Sequence, residues 1–418
     1  MPLIAKNSLL REPNFQPYIL GQTIALFTAA MTPIIMPLIA VLTLDATAFE
    51  TAVVSAVSLA PRVLLMLQIG ALLDQRPKRQ AMLRANLGVA VSLSTLPILY
   101  WFDALSIPAL CVIGFVSSAC EIVAQVADQS LLPYLIQEEQ LVEGNSKVAL
   151  SESTASMAGP TAAGVLVTAI TGPATIGIAA LGGLFSAFTL SRVTADEPPI
   201  ENVNERPRLR TQITEGLGFI WHQPILRTLM LVNGVDNGFV AWIQAIVTVY
   251  FIRELKWSAA TIGIVLGVAA VGGIIGSLCV GWFHDKLGTS RLLLVAIVLG
   301  GPFEAVVLLL RPGLLGMVIA VIGQFIVIFF SVCYSVTSRT LRMQASPNHM
   351  RSRITAAHRW VSVAVTPIGA LLGGVVATQV GVRGSIAIAC LGLVVAPLIA
   401  IASPLRHSDK VEPLADPA

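Results

Sequence analysis

The sequence predicts an all-α membrane protein of twelve spans, on three observations: scarce charge, long apolar runs and an internal repeat. Only 12% of the 418 residues are charged and 55% are hydrophobic, whereas ordinary globular chains carry about 25% charge. The mean hydropathy is +0.81. A soluble chain of this length would divide into roughly two or three domains, each needing a charged surface. There are too few charges to coat them. Composition therefore excludes a sizeable soluble domain and most soluble-enzyme readings.

The apolar runs give the elements in order. A bilayer core of about 30 Å takes roughly 20 apolar residues of helix. Such runs, bounded by charge, fall at 15–42, 48–73, 80–101, 105–135, 145–170 and 172–192 in the first half. In the second half they fall at 226–252, 258–283, 290–311, 314–342, 353–378 and 382–404. This divides the chain into an amino-terminal six-helix bundle (1–192), a cytoplasmic linker (193–225), a carboxy-terminal six-helix bundle (226–404) and a short tail (405–418).

Charge sets the expected orientation. Of the 26 Lys and Arg, only Arg253, Lys256, Arg311 and Arg383 fall in loops after odd-numbered spans, and Arg62 lies within a span. The rest cluster at the termini and after even-numbered spans, so the positive-inside rule places both termini in the cytoplasm of a multi-pass inner-membrane protein. The net charge of +3 then reflects topology and gives no hint of nucleic acid. The apolar run after Lys6 and Arg11 is too long for a cleavable signal.

The third observation is the repeat. Gly70-Ala-Leu-Leu-Asp74-Gln-Arg76-Pro-Lys78-Arg79 follows span two, and Gly281-Trp-Phe-His-Asp285-Lys286-Leu-Gly288 follows span eight. Gly159-Pro160 with Gly164 in span five is echoed by Pro367, Gly369, Gly373 and Gly374 in span eleven. Two six-span halves joined by a polar loop form a parallel repeat, the architecture in which two halves rock about a midplane site.

On these residues the chain resembles the major facilitator superfamily, from 15 to 404. The Asp74 turn looks like the family's G-x-x-x-D-R-x-G-R-R signature, with Gln75 in place of the first Arg and Pro77 in place of the Gly. Leu131-Leu-Pro133, Gln140-Leu141, Asn145 and Gly159-Pro160 with Gly164 resemble the branch holding the enterobactin exporter and the macrolide and multidrug efflux proteins. The resemblance implies that spans one, four, seven and ten line a central cavity. It also implies a small-molecule substrate, a proton as coupling ion and a monomer in the lipid bilayer.

An ionisable group within a span costs about 2.5–3.5 kcal/mol on insertion scales, so each one needs a reason. Five stand out: Arg62, Glu121, Asp128, Asp236 and Glu304. Glu121, Gln125 and Asp128 share one face of span four. In a low-dielectric setting Glu121 can exchange protons near neutral pH, and Asp236 and Arg62 are the other proton-coupling candidates. The plainer alternative for Glu121 is a permanent ion pair with Arg62, at similar depth on span two. Asp128 approaches the cytoplasmic turn of Asp74, Arg76, Lys78 and Arg79. An ion pair there would close an inner gate, with Asp285 and Arg339 as counterparts in the second half. The plainer alternative is that these charges anchor helix ends.

Substrate-cavity candidates are Gln22 and Gln125 in the first half and Asn233, Asn237, Trp242, Gln324 and Tyr334 in the second. For the span-seven amides, a structural hydrogen bond to a neighbouring helix is the alternative. Glu304 follows Gly300-Gly301-Pro302 and is expected to bond a neighbour or reach the outer interface. His358 and Arg359 are expected at the cytoplasmic side. Gly159, Pro160 and Gly164 read as kink and close-packing residues. The five cysteines lack C-x-x-C or a partner His and read as packing residues, so no metal or cofactor is expected.

These residues favour a proton-coupled antiporter exporting a drug-like compound or siderophore. A proton-coupled importer or a uniporter would use the same fold. A non-transporting receptor or scaffold gains nothing from mid-membrane charge. No Walker motif or H-E-x-x-H occurs, so neither an ATP-driven pump nor a membrane enzyme is expected.

Overall fold

The computed structural model describes residues 9, 12–65, 68–69, 73, 76–137, 140–195, 197, 209–347 and 350–405. Asp74 and the tail from 406 onward lie outside them. Among the described residues there is helix and no strand.

Helices occupy the expected spans. Span one is Phe15–Leu42, carrying Pro33 and Pro37, and span two is described as helix over Ala48–Leu64. Span two starts in a reciprocal cap: Glu50 Oε2 accepts from the Thr47 amide at 2.8 Å, and Thr47 Oγ1 accepts from the Glu50 amide at 3.2 Å. Spans three to six are Lys78–Trp101, Ile107–Leu131, Leu141–Ile170 and Gly172–Ser191. Span seven is Pro224–Val249, ending in a π-turn over Tyr250–Glu254. Span ten is Leu314–Gln344.

Among the described residues, eight helical stretches are long and apolar enough to cross a membrane. Two of them, Ala259–Leu309 with 51 residues and Arg353–Ile401 with 49, far exceed one crossing. Each turns back at a glycine in the left-handed region, Gly288 at φ 76° and Gly381 at φ 77°. Only glycine adopts that conformation without strain. These breaks separate span eight from nine and span eleven from twelve. Spans two and five fall outside the eight: the described helix of the first has 17 residues, and the apolar part of the second is diluted by Ser, Thr, Gly and Pro.

Two segments differ from expectation. Span nine leaves the α-helix at Gly300 and continues as a 3₁₀ helix over Pro302–Leu309. Pro302 has no amide to donate and its ring crowds the preceding turn, which explains the change. The linker, assigned no element above, contains an ordered helix at Leu209–His222. Ile213 and Ile220 on its apolar side are buried, and Glu215 pairs with Arg353 Nη1 at 2.7 Å.

The chain forms two compact units. The first comprises Met1–Ala46, Val57–Glu205 and Ser258–Gly267, and the second Thr47–Ala56, Arg206–Trp257 and Val268–Ala418. In the first, Phe15, Tyr18, Met82, Ile122, Leu131 and Leu190 build the core. In the second, Leu229, Val232, Leu293, Ile297, Leu341 and Ala400 do so.

Glycines bring helices together in both. A Cβ on Gly159 would stand 2.7 Å from Ala30 Cβ, and one on Gly164 would collide with the Ala259 carbonyl. The same neighbourhood is tied by Thr161 donating to the Gly263 carbonyl at 3.1 Å and the Ala260 amide donating to Thr168 at 2.8 Å. In the second unit Gly369 abuts the Gly238 carbonyl, and a Cβ on Gly374 would stand 2.5 Å from Ala52 Cβ. Pro160 is accommodated inside its helix.

Candidate functional site

The first unit holds a cavity of about 120 Å³ lined by spans one to six. Gln22, Arg62, Glu121, Gln125, Asp128 and Glu152 supply its polar wall, with Ala25, Leu26, Ala29 and Val89 between them. Five of the sequence candidates (Gln22, Arg62, Glu121, Gln125 and Asp128) thus meet in one place.

Glu121 and Arg62 line this cavity without the permanent pair considered above. Glu121 Oε1 is buried and has no hydrogen-bond partner. Arg62 is exposed to the cavity and reaches Glu121 through its charge alone. A buried carboxyl oxygen with no donor costs about 1–3 kcal/mol, more when charged. Such an atom is poised to take up a proton or a ligand's donor.

Asp128 is 7% exposed and accepts a hydrogen bond from Tyr18 Oη at 2.7 Å. Glu152 lies close enough to act on both. The basic turn has other partners. Glu197, from the loop after span six, accepts from the amides of Lys78 and Arg79. Arg79 also donates to the Ser191 carbonyl at 2.6 Å. The described contacts therefore do not join Asp128 to Arg76, Lys78 or Arg79, and Asp74 falls outside the described residues. Lys78 and Arg79 instead cap a helix start through Glu197, where an acidic group meets the positive end of the dipole.

The second unit carries a different polar interior. Asn237 donates to the carbonyl of Asn233 at 2.8 Å, and Asn233 donates to Ser362. Trp242 is 7% exposed, donates to Ser385 Oγ at 2.8 Å and stacks on Phe239. Its indole is thus a packing element rather than cavity lining. Gln324 donates to Glu304 Oε2 at 2.9 Å, and Glu304 is 4% exposed. Asp236 is partly buried and close to Glu304 and Tyr334. Of the second-half gate candidates, Arg339 is exposed, and Asp285 is exposed beside His284 at 3.8 Å. His358 is buried and shares a hydrogen bond with Arg342 at 2.9 Å.

Glu152 and Tyr18 escaped the sequence reading. Glu152 stands in the run Ser151-Glu152-Ser153-Thr154 of span five, a polar interruption that should have marked it. Thr23 and Ser151 meet at 2.8 Å beside it. Tyr18 gives no such signal, because an aromatic residue at a membrane boundary is common.

Among the described residues no group of three or more His, Cys, Asp or Glu side chains could hold a metal ion. Apolar helices enclosing a polar cavity with ionisable groups at mid-span define a membrane transporter. The family model for the Major Facilitator Superfamily matches residues 18–362 and, in a second match, 237–417. The chain belongs to that superfamily. It is 23% identical over 373 residues to the multidrug efflux pump Tap of Mycolicibacterium fortuitum, covering 87% of this chain and 90% of Tap. It is 26% identical over 273 residues to the enterobactin exporter EntS of Citrobacter koseri, covering 64% and 62% respectively. Among solved structures, the nucleoside transporter NupG superposes with a TM-score of 0.74 at 10% identity, over 95% of this chain and 99% of NupG. A bacterial homologue of the iron transporter ferroportin gives 0.77 at 14% identity, over 97% and 100%.

Proposed function

We propose that the chain is a proton-coupled antiporter that exports a drug-like amphiphile or a siderophore by alternating access, working as a monomer with both termini in the cytoplasm. The observation that carries this reading is Glu121, whose buried oxygen has no partner in a cavity of mixed polarity beside Arg62. A proton and a substrate donor compete for such a carboxylate. Protonation from outside releases the substrate, and deprotonation towards the cytoplasm lets the next one bind. The cavity mixes amides, apolar side chains and the carboxyl groups of Glu121, Asp128 and Glu152 with one arginine. That suits a bulky amphiphile better than a multiply anionic metabolite, which needs cationic clamps. The relatives support the direction, since Tap is named for multidrug efflux and EntS for enterobactin export.

In this reading Glu121 or Asp236 couples the proton, with Arg62 tuning Glu121. Gln22, Gln125, Asn233 and Asn237 are the substrate-facing amides. Asp128, with Arg76, Lys78, Arg79 and Asp74, belongs to a cytoplasmic gate in which its bond to Tyr18 is the competing partnership.

The test is accumulation of labelled substrate in expressing cells against a strain lacking the protein. Lower accumulation that a protonophore restores is the expected result. Higher accumulation in expressing cells would replace export by import.

A further inference from the structure

The carboxy-terminal unit holds two carboxyl groups, Asp236 and Glu304, that the sequence places on different spans and the fold brings together. Asp236 is on span seven. Its Oδ1 lies against span nine at Gly301, where an added Cβ would come within 3.0 Å of it. Glu304 stands three residues further along, in the first turn of the 3₁₀ segment, within electrostatic reach of Asp236. Glu304 has one donor, the Gln324 amide at 2.9 Å. No described hydrogen bond or ion pair reaches Asp236.

The surroundings supply no compensating cation at the pair. Span ten contributes Gln324 and Tyr334, and span twelve contributes Cys390 and Leu393. Arg342, on the same helix as Tyr334 and two turns further on, is bound to His358. The Tyr334 hydroxyl is buried and meets no acceptor in good hydrogen-bond geometry, with Ser338 its side-chain neighbour one turn away and Asp236 within electrostatic reach. Two carboxylates within electrostatic reach in a low-dielectric interior, with no cation beside them, disfavour both being ionised. A proton is the charge that neutralises them, because the donor set is too sparse for a desolvated metal ion.

We propose that Asp236 and Glu304 form a protonatable centre, a carboxyl pair holding one proton between them inside the carboxy-terminal unit. Partly accessible Asp236 exchanges the proton, and sealed Glu304 shares it. This deepens the antiport reading by naming a coupling site, but the pair itself does not depend on the direction of transport.

The test uses the full purified chain in lipid, without substrate or gradient. Infrared difference spectroscopy follows the C=O stretch of protonated carboxylic acids as pH is raised in sodium-free buffer. Asp236→Asn and Glu304→Gln are near-isosteric, and size-exclusion elution together with helical circular dichroism checks each fold. Each single variant should remove the same band, and the double variant should remove no more than either single, because the proton belongs to the pair. Independent, additive losses would overturn the pair, as would an unchanged band in both variants. A site that fills only when sodium is added would replace the proton by a metal cation and equally overturn it. If the band behaves as expected but cells import rather than export, the pair stands and the export reading falls.

Discussion

The two units solve the same problem, a carboxyl group inside a membrane helix bundle, in opposite ways. In the first unit Glu121 faces a cavity, with an arginine in view but not in contact. In the second, Asp236 lies within electrostatic reach of Glu304, which is sealed at 4% exposure with an amide for company. An open site beside a positive charge can exchange its proton for a ligand. A closed acidic pair can hold a proton but offers a ligand little room. The repeat thus preserved the scaffold while the chemistry diverged.

The largest expected effect separates these roles. Glu121→Gln removes the one carboxyl group of the first unit, among the described residues, with a buried oxygen and no partner for it. Gradient-driven transport in proteoliposomes should fall at least about tenfold, equivalent to about 1.4 kcal/mol, while substrate counterflow survives. Asp236→Asn should also impair gradient-driven transport, with a smaller effect on substrate affinity than Glu121→Gln. If Glu121→Gln retains full gradient-driven uptake and Asp236→Asn alone loses substrate affinity, the roles of the two units are reversed.

How much of this was legible in the sequence follows from what each signal measures. Spans are readable because the apolar length needed to cross a bilayer is a local property, and the start and end of Phe15–Leu42 coincide with the apolar run. The turn-backs at Gly288 and Gly381 were placed within a few residues by charge and glycine. Span nine was harder, because the effect of Pro302 on helix type depends on the carbonyls before it. The cavity residues Gln22, Arg62, Glu121 and Gln125 were found because a polar group in an apolar run is costly wherever it points. Their partners were not readable. Which helix faces Asp128 is a tertiary fact, and the sequence pointed to a nearby basic turn where the fold supplies Tyr18. Trp242 was misplaced for the same reason: its polar edge suggested a cavity, but Ser385 satisfies it.

A second prediction tests how far the pseudo-symmetry reaches. Gly164→Ala would drive a methyl group into the Ala259 carbonyl, a backbone atom with little freedom to move. Gly374→Ala would instead meet the Ala52 methyl at 2.5 Å, with Phe49 Cα at 3.2 Å. Overpacking of this kind costs about 1–3 kcal/mol. Both variants should lower the thermal midpoint in detergent, Gly164→Ala by more. Equal, negligible shifts would mean that the helices slide apart at no cost and that the glycines are not needed for packing.

The smallest expected effect concerns the linker helix, the part of the chain with no counterpart in the repeat. Glu215 reaches Arg353 Nη1 at 2.7 Å, with the two side chains 43% and 34% exposed. Water and salt screen a pair of that exposure, so its coupling is about 0.2–1 kcal/mol. More of the helix's attachment comes from Ile213 and Ile220, both buried, and from Gly216, whose missing side chain lets the helix lie against the Arg353 carbonyl. A double-mutant cycle of Glu215→Gln and Arg353→Gln should therefore give a coupling at the low end of that range, shrinking further as salt is raised. Gly216→Val should destabilise the helix more than either charge change. A coupling well above 1 kcal/mol that persists in high salt would show that the ion pair, and not the apolar face and close backbone approach, holds the linker to span eleven.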